Sequence, residues 1–450
     1  PYRRATMKEK ILSLIKEGKY LTARSEISKL NVVDAAHLFE EIEPQQILII
    51  FRILPKDFSS ETFSHMSTDL KKYVIDSLTD EEAIRIFDDL FFDDAVDLLE
   101  EMPANVVKRI LRNTNAQTRE LINQFLKYPD DSAGSLMTIE YVDLKSEMTV
   151  AQAIQYIKDI GIDKRTINTC YVMDSSRVLN GVVSLRRLIL SDESELVKDI
   201  METDFISVTT LDDQEDVAAR FKKYDYYVMP VVDKENRLVG IITVDDILDV
   251  IDQEATEDIQ KMAAMQPFET EYLKSSNWAL AKHRLPWLFI LMLNATFTAG
   301  IIQKYESALQ SAIILTAFIP MLMDTGGNSG SQSSSLIIRG LALGQIKTKD
   351  ILKIIAKEFS VGVIAGSILA AVNFLRLYFI NQEELSLALT VTLTLFITVV
   401  IAKIVGGVLP MFAQKLKLDP AVMASPIITS IVDVVSLFIY FYIATFFLKL

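Results

Sequence analysis

The residue most in need of a chemical reason is Asp433, the one acid in the apolar stretch "TSIVDVVSLF" (429–438). A carboxylate near the middle of a bilayer helix costs about 2.5–3.5 kcal/mol on insertion scales. Three uses would justify it: drawing in a cation, titrating a proton, or pairing with a buried base. Lys403, inside the preceding apolar run, is the obvious base. A second set of acids lies in a polar stretch. Glu254, Glu257 and Asp258 are three and four residues apart, so they share one helix face. That face is either solvated or cation-binding. A third set combines "LDDQED" (211–216) with Asp225, Asp245 and Asp246. Capping and the helix macrodipole favour acids at helix starts. That accounts for Asp245 or Asp246, but not readily for the whole set.

Composition separates two environments. Half of the 450 residues are hydrophobic, yet 24% are charged. Residues 284–450 carry 8 Asp and Glu against 12 Lys and Arg; the other 52 acids and 34 bases precede them. A part this acidic disfavours nucleic acid and anionic lipid, and favours cations, as partners. Cys170 is the one cysteine, which excludes an intrachain disulfide and fits a reducing compartment. The first residues show charges and helical periodicity rather than an apolar leader core. His37, His65 and His283 are scattered, and neither a nucleophile triad nor an ATPase loop is visible, so no enzyme is expected.

Four segments must position these acids. Residues 1–128 read as short helices, and "DAAHLFEEIEP" (34–44) echoes "DAVDLLEEMP" (94–103), as in a small superhelical array. Residues 129–252 hold two copies of a strand, turn, strand, helix-start pattern, at 129–190 and 191–252. Asp174 matches Asp233 and Gly181 matches Gly240, both 59 residues apart. This pattern resembles a tandem of CBS domains, an α/β module that often binds adenine nucleotides. Thr243 and Asp246 fit the Ser/Thr-x-x-Asp pattern with which CBS domains hold ribose and phosphate, making ATP a candidate ligand. The first copy has Arg186 and Arg187 where the second has Asp245 and Asp246, so the fold itself does not require those acids.

Residues 253–283 form a connecting helix, and 284–450 a membrane part with apolar runs at 285–303, 312–343, 359–380, 385–413 and 421–448. Five spans are expected. With the acidic part inside, inner loops hold seven Lys and Arg against Lys304, Arg376 and Lys449 outside, placing the N-terminal domains in the cytoplasm and the C-terminus outside. The second run contains "DTGGNSGSQSSS" (324–335), whose glycines are expected to break the helix at membrane depth. Close helix packing is the alternative reading of the same small residues. Asp324 beside them suits helix-end capping as well as ion contact.

The stretches "PMLMDTGGNSGSQSSSLIIRGLALGQI" (320–346) and "LDPAVMASPIITSIVDVVSLFIYF" (418–441) resemble the signature segments of the MgtE family of magnesium channels, and the order of the four segments resembles that family over essentially the whole chain. The resemblance implies a homodimer in the cell membrane, a pore on its twofold axis, and magnesium uptake that shuts when cytoplasmic magnesium rises. It matches Asp433 to the pore acid and Asp419 to the cytoplasmic-entrance acid, with Thr429 one turn before Asp433. Asp433 follows Asp419 by 14 residues, about 21 Å along one helix. Magnesium keeps its waters, so a pair of acids across a dimer axis suits it. The resemblance further implies regulatory magnesium ligands: Glu61, Asp93 and Asp97 in the N domain; Asp213, Glu215, Asp225, Asp246 and Asp249 in the CBS pair; and Glu254, Glu257 and Asp258 in the connecting helix. A proton-coupled carrier and a CBS-regulated anion channel are the competing classes. An acid rather than a base at the pore position disfavours the latter.

Overall fold

In a computed structural model of the chain, residues 2–268, 272–273, 275–311 and 313–448 are described. Part of the expected connecting segment (269–271 and 274) and Lys449, counted among the outer bases, lie outside them. The chain divides into two compact units, Pro1–Val250 and Ile251–Leu450.

The first unit begins with ten helices, α1 to α10, from Tyr2–Lys16 to Ala116–Phe125. Their starts are written in the sequence. Asn31 and Asn115 accept backbone N–H bonds at helix N-termini, and Thr79 forms a capping box with Glu82. Two next-but-one series run through these helices, α2 (Tyr20–Ile27) on α4 (Pro44–Ile53) on α6 (Thr68–Ser77), and α3 (Val32–Phe39) on α5 (Lys56–Ser64) on α7 (Asp80–Asp89) on α9 (Ala104–Asn113), while α1 packs on α2. That alternation fits the small superhelical array expected from the repeat. The echoed motifs fall on α3 (Val32–Phe39) and α8 (Phe92–Glu101), both with buried apolar faces.

Two three-stranded sheets follow. β1 (Val142–Lys145), β2 (Thr169–Met173) and β3 (Leu179–Ser184) form one; β4 (Val208–Thr209), β5 (Val228–Val232) and β6 (Leu238–Thr243) form the other. In each, the first pair is parallel and the second antiparallel. Gly181 opposes Val172 and Gly240 opposes Val231, and both sheets have a bulge at the next position, so the 59-residue repeat is kept in the register. The two copies exchange leading segments. The short helix α11 (Ala133–Leu136) and Thr138 close on the second sheet, and α14 (Val197–Ile200) with Glu202 closes on the first. The glycines permit that approach: a Cβ on Gly240 would lie 2.7 Å from the Thr138 carbonyl, and one on Gly181 would lie 2.9 Å from that of Glu202. Helices α12 (Val150–Ile160), α13 (Leu185–Leu190) and α15 (Gln214–Tyr224) complete the module. Helix α16 (Val244–Met262) starts directly after β6.

Among the described residues of the second unit, four stretches are long and apolar enough to cross a membrane: Asn277–Lys304, Thr348–Ile380, Leu385–Lys415 and Pro420–Leu448. They contain α17 (Asn277–Lys304), α20 (Ile351–Leu375), α21 (Leu385–Lys415) and α22 (Ser425–Leu448). Between α17 and α20 lie a short α18 (Glu306–Ser311) and the 24-residue α19 (Ile319–Ala342), which packs against both α21 and α22. Pro286 and Pro410 sit within α17 and α21 without ending them.

The expected break at Gly326, Gly327 and Gly330 does not form, because α19 is continuous through all three. The packing alternative accounts for them. A Cβ on Gly330 would lie 2.6 Å from Ile428 Cγ2, and one on Gly406 would lie 2.1 Å from the Gly330 carbonyl oxygen. Backbone contact between helices, which only small residues allow, offsets the poor helix propensity of glycine. The polar run also turns inward on itself: Ser331 and Ser335 hydroxyls donate to the carbonyls of Gly327 and Ser331.

Candidate cation pathway and its regulatory acids

The glycine face of α19 meets the face of α22 that carries Ile428, Thr429, Val432 and Ser436. Gly327 lies against Thr429, and Asp433 is one turn further along α22. Asp324 lies one turn before Gly327 on α19. Asp324 sits inside α19, not at its end, so it is not a helix cap. One carboxylate oxygen of Asp433, Oδ1, is shielded and has no hydrogen-bond partner among the described residues. Lys403 does not supply one. Lys403 is 6% exposed, and its ammonium donates to the Ser329 carbonyl (3.3 Å), Gln332 Oε1 (3.3 Å) and the Ser333 hydroxyl (3.5 Å). Ser333 in turn donates to Glu358 at 2.6 Å. The base is thus held by α19 on its side toward α20, not by Asp433.

The 21 Å estimate between Asp419 and Asp433 assumed one helix and is corrected by the structure. Asp419 caps a separate 3-10 turn (Pro420–Met423), accepting the Ala421 N–H at 2.7 Å, and Ala424 is extended before α22 begins. Asp433 lies eight residues into α22, about 12 Å from its start. Asp419 also receives the Lys261 ammonium at 2.6 Å, which Glu257 shares at 2.5 Å. Burial and the charge of Asp419 push the Asp258 carboxyl up. Met262 packs on Ile338, Ala421 and Ala424, so the end of α16 rests on the start of the α22 segment. Glu254, Glu257, Asp258 and Lys261 are all half-buried while their neighbours are mostly exposed, which bears out the shared helix face.

In the first unit, two helix starts bring acids together. Asp93 and Asp94 lie in the first turn of α8, Asp245 and Asp246 in that of α16. Between them stands Arg165, from the loop between α12 and β2. Its guanidinium is 3.0 Å from Asp245, 3.2 Å from Asp246, 3.4 Å from Asp94 and 3.9 Å from Asp93. The Phe91 ring lies beneath it, 4.9 Å from centroid to cation. Asp93 is 6% exposed, and neither of its oxygens has a hydrogen-bond partner among the described residues. Burial pushes its carboxyl up to about 7, against the pull of Arg165. Burial likewise raises Asp246, opposed by the hydroxyl of Thr243, which donates to it at 2.5 Å. Thr243 and Asp246, the candidate nucleotide pair, are therefore bonded to each other, and Thr243 is buried.

Residues 319–443 match a family model described as a divalent cation transporter, MgtE; residues 30–131 match the MgtE intracellular N domain; residues 197–253 match a CBS domain. The magnesium transporter MgtE of Bacillus subtilis is 34% identical over 439 residues, covering 98% of this chain and 97% of its own. That of Thermus thermophilus is 35% identical over 439 residues, covering 97% of each. The chain belongs to the MgtE family. Two solved structures resemble somewhat more than half of the chain. A crystal structure of the soluble part of a magnesium transporter has a TM-score of 0.53 at 30% identity, over 56% of this chain and 99% of that one. The cytosolic domain of the Mg2+ channel MgtE in complex with ATP has a TM-score of 0.52 at 34% identity, over 54% and 99%.

Within this MgtE chain the remaining acids are dispersed. Glu61 is exposed on α5 (Lys56–Ser64), and Asp97 is exposed one turn beyond Asp93. Asp213 caps α15, accepting the Glu215 N–H at 2.9 Å. Asp225 ends the same helix in the left-handed conformation (φ 53°), which Asp tolerates. Glu215 and Asp249 are exposed. Among the described residues, no three His, Cys, Asp or Glu side chains converge closely enough to hold a metal ion. Sequence reasoning missed Arg165, Lys261 and Glu358. Arg165 lies in "DKRT", a loop with neither periodicity nor repeat partner, so only the fold reveals what it faces.

Proposed function

We propose that this MgtE protein is a magnesium channel that mediates Mg2+ uptake and is closed by Mg2+ at its cytoplasmic acids. The observation that carries this is Asp433: an apolar helix holds a carboxylate with a shielded oxygen that has no hydrogen-bond partner among the described residues. In a homodimer two such helices meet at a water-filled axis, with α19 as a fifth span beside the four apolar ones. A hydrated divalent ion between two Asp433 carboxylates offsets their charge, and oxygens from Thr429 bond its waters. Asp419 is the cytoplasmic mouth. The N-terminal domains lie in the cytoplasm and the C-terminus outside. The apolar outer faces of α17 and α20 suit lipid, for Phe289, Leu293, Ile364 and Ile368 are all exposed.

Regulation falls to the acids at 61, 93, 97, 213, 215, 225, 246, 249, 254, 257 and 258. Magnesium between them stabilises the closed state by differential binding. ATP binds the CBS pair at Thr243 and Asp246, as the ATP complex of the related cytosolic domain suggests. The test of the pore is magnesium uptake into cells or liposomes with Asp433→Asn and Asp433→Ala. Both are expected to abolish uptake while the protein still inserts. Unchanged uptake in Asp433→Ala would refute the pore.

A further inference from the structure

We propose that Arg165 is a built-in cation that holds the N domain on the CBS pair and stands where a divalent ion would otherwise be needed. The inference rests on the reading that these junction carboxylates accept magnesium, and it adds what this chain does without the ion.

Four carboxylates, Asp93, Asp94, Asp245 and Asp246, approach from two helix starts that belong to different domains. Without a cation between them they would repel, opposing the apolar core that α8 and α16 share through Phe92, Val96, Ile247 and Val250. Arg165 supplies one positive charge in a fork that reaches three of them at 3.0–3.4 Å. It is set for this task. Its side chain is only 15% exposed, its backbone N–H donates to the Glu140 carbonyl at 2.9 Å, and the Phe91 ring stacks beneath it. Glu140 is itself part of the joint, because its carboxylate accepts the Phe92 N–H at the start of α8 at 3.1 Å. The neutralisation is incomplete. One guanidinium meets four acids, and buried Asp93, 3.9 Å away, has no hydrogen bond to either oxygen among the described residues. That orphaned carboxylate points to a position for a second cation, and a small divalent ion is the class that oxygen-only ligands take. Arg165 therefore makes docking of the N domain partly independent of the ion and leaves Asp93 as the residue through which the ion adds to it.

The test uses the full chain in detergent micelles and reads hydrogen–deuterium exchange of the amides 92–96, at the start of α8, in chelator and in MgCl2. In the unaltered protein these amides are expected to be protected in both. Arg165→Gln should speed their exchange in chelator by at least about tenfold, the size of one lost charge-assisted hydrogen bond, and MgCl2 should restore protection. Equal protection of Arg165→Gln and the unaltered protein in chelator would overturn the inference. So would a loosening that MgCl2 does not reverse. Should Arg165→Gln raise exchange throughout β1 to β6, Asp245→Asn decides. A magnesium-reversible loosening of 92–96 supports the inference, and none overturns it. Channel closure by magnesium in the unaltered protein reports separately on the underlying reading. If closure is intact while Arg165→Gln behaves as the unaltered protein, only the role of Arg165 fails. If closure is absent, the sensor reading fails and this inference with it.

Discussion

Asp93 is a carboxyl whose burial has a measurable cost. It titrates near 7 in the fold against an ordinary value of 3.8. A raised acid pKa penalises the folded state above that pKa, and the penalty is relieved as pH falls through it. The penalty is about 4 kcal/mol at pH 8 and about 1.7 kcal/mol at pH 5, so acidification should return about 2.6 kcal/mol. The groups facing it are Arg165, which opposes the shift, and Asp94 and Asp246, which add to it. The assay is thermal unfolding of the full chain in detergent with chelator, following the transition of the soluble part. For a unit of this size the gain corresponds to about 5–10 °C between pH 8 and pH 5. Asp93→Asn removes the titrating group. The variant should be more stable than the parent at pH 8 and should lose this share of the pH dependence. Magnesium at pH 8 should raise the parent's transition as acid does, and should do so less in the variant. Identical pH profiles for parent and Asp93→Asn would refute the reasoning, because the buried charge would then cost nothing.

Two further predictions concern the second unit. Gly406→Ala puts a Cβ where the Gly330 carbonyl oxygen is 2.1 Å away, so α19 and α21 must part; a loss of about 1–3 kcal/mol is expected as a lower unfolding temperature of the membrane part, and an unchanged temperature would contradict the packing account. Lys261→Met releases Asp419 and Glu257 from their shared ammonium, so uptake at limiting magnesium should rise, whereas reduced uptake would show that the lysine serves the mouth rather than competing for it.

The parts of this fold that were legible in the sequence are those governed by local rules. The 59-residue repeat survives as sheet register because Gly181 and Gly240 each admit a backbone that no larger residue would. The face shared by Glu254, Glu257 and Asp258 follows from helical spacing alone. What failed was local rules applied where tertiary contact decides. Glycine predicts a broken helix in isolation, but in α19 the glycines are contact points that the neighbours α21 and α22 fill. Rise per residue placed Asp419 and Asp433 on one rod, but the Asp419 cap and extended Ala424 start a new element between them. Lys403 was the natural suspect for Asp433, yet its reach is taken by Ser329, Gln332 and Ser333, a choice set by which helix face it occupies. Arg165 had no signal at all, since its meaning lies in residues 71 to 81 positions away in either direction.

The central claim is that magnesium both passes through this protein and closes it. Patch recording of the purified full chain, with cytoplasmic magnesium raised stepwise, tests it most directly. The account predicts magnesium-carried currents whose open probability falls as cytoplasmic magnesium rises, and no current in Asp433→Ala. Open probability that stays constant across the magnesium series would contradict it.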